Sequence, residues 1–241
     1  MNFVLLAQAS GFDRFLEKLY DNLIANGRWK YYLEGLGVTL QITILAALLG
    51  IIIGLFVAIV KVSAMNTNNI FLKIGDKICN IYLNVFRGTP MFVQLLMFSL
   101  VFFPTGQKLW VAVLAFGMNS GAYVSETFRA GILAVDKGQS EAGRSLGLNT
   151  FSTYRYIILP QAIKNILPPL LNEFIALLKE TAIVSAVGIA DLTKAYEKIS
   201  ARTFEFFIPL LTIAIIYLIL VTIMTAIVRA VERRLRQSDN R

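Results

Sequence analysis

Two charges stand where an apolar chain least accommodates them: Glu173 in "LPPLLNEFIALLKE" and Arg87 in "NVFRGTPMFV". A carboxylate in such a place can receive an ammonium or a guanidinium. A guanidinium can grip a carboxylate through two parallel hydrogen bonds. Neutral polar groups accompany them: Asn172 beside Glu173, Thr89 after Arg87, Thr39 and Gln41 in "VTLQIT", and Ser120 with Tyr123 in "NSGAYV". This inventory suits reversible recognition of a small charged molecule, with some members serving as hydrogen bonds between helices. Plainer uses stand beside it. Glu173 could cap backbone freed near Pro168 and Pro169 or pair with a basic residue of another helix, and Arg87 could anchor on lipid phosphate. Catalysis has little to work with, because the chain lacks histidine and has one cysteine, Cys79. Histidine triads, the usual metal clusters and internal disulfides are thereby excluded.

The elements that must hold these residues belong to a membrane protein. Hydrophobic residues make up 56% of the chain and charged ones only 16%, with a mean hydropathy of +0.65. Soluble domains carry about a quarter charged residues. A spanning helix needs roughly 20 mostly apolar residues, and five segments meet or approach that length. They cover about 38–60, a stretch ending in "MFVQLLMFSLVFF" that takes residues from before Pro90, about 109–133, about 166–189, and "FIPLLTIAIIYLILVTIMTAIV". The expected fold is therefore all-α and polytopic. Glu173 falls about 10 Å inside the fourth span. Glu180, two turns further on, shares its face, and Lys179 stands close enough to neutralise Glu180 in part. Gly88 and Pro90 break the second span, and broken backbone at membrane depth is tolerated where it lines a cavity or is buried in protein. Gly50 and Gly54, with Ala46 and Ala58, form a stripe for close helix approach. Glu126 and Arg129 are spaced to pair. The fifth span carries no charge and faces lipid.

The net charge of +8 reads as topology, with membrane lipid and not nucleic acid as the partner. Basic residues dominate 61–87, 134–165 and the tail after Val228, whereas 190–206 is balanced. Positive loops stay inside, so the expected N-terminus is outside and the C-terminus cytoplasmic. Residues 10–33 alternate apolar and charged positions at helical spacing, as an amphipathic surface helix does. The opening "MNFVLLAQAS" lacks a basic region and is expected to be retained. The chain divides into an extracytoplasmic segment (1–33), one transmembrane domain (34–230) and a basic tail (231–241).

The stretch "EAGRSLGLNTFSTYRYIILP" is polar amid apolar sequence. It reads as a short helix ended by Gly147 in a left-handed cap, then a second short helix capped by Asn149 or Thr150 and closed by Pro160. Such a knob suits docking into a partner.

Glu141-Ala142, Gly147, nine residues, Ile157, one residue, then Leu159-Pro160 resembles the EAA motif of the membrane subunits of bacterial ABC importers. Gly143 replaces the motif's second alanine, a small-for-small change expected to be tolerated. "VTLQIT", "RGTPMFVQ", "NSGAYVSETFRAGI", "KGQSEAGRSLGL", "LPPLLNEFIALLKET" and "VERRL" resemble the subfamily that imports polar amino acids. The resemblance implies a permease in the bacterial inner membrane, paired with a second copy or a related permease. It implies a separate ATPase that binds ATP and magnesium, docked through Glu141, Ala142, Gly143, Gly147, Ile157, Leu159 and Pro160, and an extracytoplasmic amino-acid-binding protein. No G-x-x-x-x-G-K-[ST] loop occurs in the chain, so ATP must be bound in that manner elsewhere. Glu173 and Glu180 lean the expected cargo toward arginine, lysine and histidine, ahead of glutamine- or glutamate-like molecules. A channel or secondary transporter without ATP is the alternative.

Overall fold

The computed structural model describes residues 11–65 and 67–239, and no strand occurs among them. Expectations about the first ten residues lie outside the described part. Helix α1 (Gly11–Leu23) is followed by a short 3-10 turn, where Asn26 and Gly27 take left-handed backbone, and then by α2 (Trp29–Met65). The amphipathic helix expected over 10–33 is therefore interrupted. Residues 29–33 already belong to α2, so the boundary placed at 33/34 falls inside a helix. Apolar sequence alone set the start of the first span, but the helix only requires that no strong breaker intervene after Gly27.

Helix α3 (Ile70–Gly88) and α4 (Met91–Leu96), which runs into a π turn over Met97–Phe102, are bent by 104° at Thr89–Pro90. The polar stretch 61–87, expected as a loop, is thus mostly helix. It packs along α2, with a Cβ on Gly75 coming within 3.1 Å of Val60. Helix α5 (Lys108–Leu133) occupies the middle, buried along most of its length, and touches α2, α3 and α8. Close approach to α2 depends on missing side chains. A Cβ on Gly54 would lie 2.6 Å from Val124 Cγ1, and one on Gly121 would lie 2.9 Å from Ile53 Cγ2. Ala46 and Ala58 are buried in the same seam, as their spacing predicts. Packing of this kind replaces the hydrophobic effect where the solvent is itself apolar.

The knob consists of α6 (Lys137–Ser145), α7 (Thr150–Thr153) and a π turn over Tyr154–Ile158, and it flows directly into α8 (Leu159–Glu180). Pro160 was expected to end the second short helix. It does not: the π turn over Tyr154–Ile158 runs into α8 without a break, and Pro160 stands second in that helix. A 3-10 segment (Thr181–Val187), α9 (Leu192–Thr203) and α10 (Phe207–Asp239) complete the chain.

Among the described residues α2, with the turn before it, and α10 are each long and apolar enough to cross a membrane, and the bent α3–α4 pair is so when its two helices are taken together as one span. Helices α5 and α8, expected as the third and fourth spans, do not reach that apolarity; the Ser120 hydroxyl of α5 meets Glu173 of α8 inside the bundle. Helix α10 exposes Leu210, Leu211, Ile215, Leu218, Ile219, Ile223 and Ile227, an uncovered apolar face in keeping with an uncharged span.

Candidate substrate path and coupling knob

The break at Gly88–Pro90 comes first, because it positions Arg87. Proline has no N–H to give Phe86 four residues back. The freed Phe86 carbonyl accepts from Gln94 Nε2 at 2.8 Å and from Asn119 Nδ2 at 3.0 Å. Gln94 also donates to the Thr89 carbonyl and hydroxyl, and Asn119 donates to Gln94 Oε1 at 3.0 Å. Thr89 in turn donates to the Val85 carbonyl. Gln94 and Asn119 are both buried and were not among the predicted site residues. Their signal was legible as amides inside apolar runs, in "RGTPMFVQ" and "MNSGAY".

This clamp leaves the Arg87 guanidinium exposed over the Tyr123 ring, 5.5 Å from its centroid. It makes no hydrogen bond or ion pair among the described residues. One turn away on α5, the Ser120 hydroxyl donates to Glu173 Oε1 at 3.1 Å. Glu173 is half-buried beside a cavity of about 100 Å³ lined by Ala47, Ile51, Val124, Leu171 and Phe174. Arg87 and Glu173 thus flank the same stretch of α5 from two sides. Asn172 is exposed on α8, and so are Lys179 and Glu180 at its end.

Thr39 and Gln41 stand apart from this group. The buried Thr39 hydroxyl accepts from the Leu192 N–H at 3.2 Å and so helps seat the start of α9, while Gln41 is exposed on α2. Asp191 caps the same helix by accepting from the N–H groups of Thr193 and Lys194. Burial pushes its carboxyl up, against the opposing pull of those hydrogen bonds. Glu126 and Arg129 form the expected pair, with Nη2–Oε2 at 2.7 Å.

The knob shows its predicted caps. Gly147 takes φ +75°, the Leu148 N–H returns to the Gly143 carbonyl, and the Gly147 N–H returns to that of Arg144. These two bonds define a Schellman motif. Asn149 caps α7 through the Ser152 N–H. Gly143 is buried, and a Cβ there would lie 2.7 Å from Thr153 Cγ2 and 3.2 Å from Ile157 Cδ1. In this chain the glycine matches the threonine, so the small-for-small exchange is a packing requirement. Glu141, Ala142, Leu159 and Pro160 are exposed. Leu146, Phe151 and Tyr156 are 77%, 73% and 69% exposed, and an apolar surface of that kind on a polar knob marks a contact face.

Residues 50–237 match the family described as "Binding-protein-dependent transport system inner membrane component". The arginine transport system permease protein of Bacillus subtilis is 41% identical, covering 87% of this chain and 94% of that one. The glutamine transport system permease protein of Escherichia coli is 33% identical, covering 85% and 92%. A crystal structure described as an amino acid ABC transporter with histidines superposes with a TM-score of 0.78 at 43% identity, over 85% of this chain and 94% of that one. An inward-facing MetNI methionine ABC transporter shares the fold alone, with a TM-score of 0.74 at 19% identity over 88% and 99%. With the match spanning most of the bundle and the whole knob, the chain belongs to the binding-protein-dependent transport system inner membrane components, the permease subunits of ABC importers.

Proposed function

We propose that the chain moves polar amino acids inward across a bacterial inner membrane, its C-terminus on the cytoplasmic side, as one of two paired permeases. Basic amino acids come first as cargo and glutamine-like ones second. Relatives named for arginine and for glutamine support the class. The observation that carries the reading is the shared stretch of α5, with Ser120 holding Glu173 on one side and Tyr123 holding Arg87 on the other. A zwitterion brings one charge for each, and a basic side chain brings a second cation for the Glu173–Glu180 face of α8. The knob, through the exposed Leu146, Phe151 and Tyr156, seats a separate ATPase that binds ATP and magnesium. An extracytoplasmic binding protein delivers the cargo at the opposite end.

A cation hydrogen-bonded to Glu173 gains about 1.5–3 kcal/mol over a neutral isostere, or about ten- to a hundredfold in selectivity. Glu173→Gln in proteoliposomes with the ATPase tests this. Arginine uptake is expected to fall by about that factor, far more than basal ATP hydrolysis. Unchanged rates and ranking across arginine, lysine, histidine and glutamine would return Glu173 to a structural role.

A further inference from the structure

The cavity beside Glu173 is too small for a whole amino acid. At about 100 Å³ it lies below the roughly 300–1,000 Å³ of small-molecule sites. A second cavity, between α2, α3 and α5, measures about 340 Å³. It starts at Arg87, at the level of Tyr123, and extends along α5 past Glu126 and Arg129 toward the knob, with Lys61, Asp76 and Asn80 on its other walls. Its charges do not cancel. Lys61 pairs with Asp76 at 3.4 Å, and Arg129 pairs with Glu126. The Arg87 guanidinium has no ion pair of its own among the described residues; the Tyr123 ring lies against it and it shares the cavity with the already paired Glu126.

We propose that this cavity is a second holding station for a free amino acid on the knob side of the Glu173 level, with the cargo carboxylate on Arg87. The station rests on the amino-acid import reading and adds a place and a direction to it. One uncompensated cation matches one carboxylate. Asp76 and Glu126 each keep acceptor capacity beyond their present partners, which suits the α-ammonium. A lining of both signs fits a zwitterion better than the purely anionic phosphodiester of a phosphatidylglycerol headgroup. A cargo held between Glu173 and Arg87 therefore keeps its carboxylate on Arg87 as it leaves Glu173 for this cavity, and an amino acid already at the knob side competes for the same guanidinium.

The test is equilibrium binding of radiolabelled L-arginine and L-glutamine to the nucleotide-free permease–ATPase complex in phosphatidylcholine nanodiscs. Arg87→Gln, and Asn84→Leu on the cavity wall, are each expected to weaken binding about tenfold or more, whereas Glu173→Gln leaves a bound fraction. Arg87→Lys, which keeps the charge, retains most of the binding and guards against misfolding as the cause. Argininamide, lacking the carboxylate, competes about tenfold less well than arginine. Binding abolished by Glu173→Gln and untouched by Asn84→Leu overturns the station while leaving the import reading intact. Displacement by added phosphatidylglycerol, with argininamide and arginine equivalent, assigns the cavity to a lipid headgroup and overturns it too. A wild-type complex that neither binds nor takes up any amino acid of the panel removes the import reading, and the station with it.

Discussion

Gln94 and Asn119 hold the Pro90 break closed by satisfying Phe86 and each other. Removing the Asn119 amide leaves the buried Gln94 Oε1 without its donor and Phe86 with one donor of two, at about 1–3 kcal/mol. Asn119→Leu is therefore expected to lower the thermal stability of the purified complex, and to loosen Arg87 even where the fold survives. A melting curve with arginine and without it separates the two effects, because the ligand-dependent part of the shift shrinks if Arg87 is displaced. A second residue-scale expectation concerns Gly143. Gly143→Ala places a methyl 2.7 Å from Thr153 Cγ2, and overpacking of this kind costs about 1–3 kcal/mol. The paired change Gly143→Ala with Thr153→Ala removes both Cγ2 and Oγ1, the latter 2.9 Å from the new methyl, and is expected to recover most of the stability. An additive loss in thermal denaturation would show that the glycine answers to something other than the threonine.

Among the elements, those whose signal is local were legible in the sequence. The Gly147 cap, the Asn149 cap, the Gly50–Gly54 seam and the Glu126–Arg129 pair each need only a few neighbouring residues to specify them. The continuous passage through Pro160 was not legible, because a π turn leaves no composition mark and depends on packing around α8. Thr39 was also beyond reach, since its partner is Leu192, far away in sequence. Gly147→Val forces a β-branched residue into the left-handed region at about 1–2 kcal/mol or more. Normal membrane insertion with lost ATPase association is the expected result, read by co-purification. Helix α1 gives a pH expectation. Lys18 Nζ lies 2.7 Å from Glu205 Oε2, and this pairing holds the Glu205 carboxyl below its usual range. A lowered carboxyl stabilises above the unfolded value, near 4.3, and that contribution is lost as pH falls through the lower folded value. Spin-label distances between α1 and α9 should stay constant from neutral pH down to about pH 5 and broaden below about pH 4. Glu205→Gln should broaden them already at neutral pH.

At the scale of the molecule, α5 and the knob give the permease two ends with different duties. A cysteine in the 104–107 turn or in 192–203 is expected to be labelled from outside the cell, and one at Thr150 only from inside. Outside labelling at Thr150 would place the knob beyond the reach of any cytoplasmic ATPase. The unbroken run from Thr150 through the π turn to Glu180 has a mechanical meaning as well. It is a shaft, and Glu173 sits about 35 Å along it from Thr150 at 1.5 Å per residue. A joint at Pro160 would have let the knob swivel freely. Without one, knob and carboxylate share a single angular phase, and the extra residue of the π turn sets that phase. An alanine inserted after Gln161, in the α-helical part of the run, should advance it by about 100°, turning Glu173 away from Ser120 while both ends keep their own folds. Uptake should stop, and deleting Lys164 from the same helix as well should bring the phase, and with it the uptake, back.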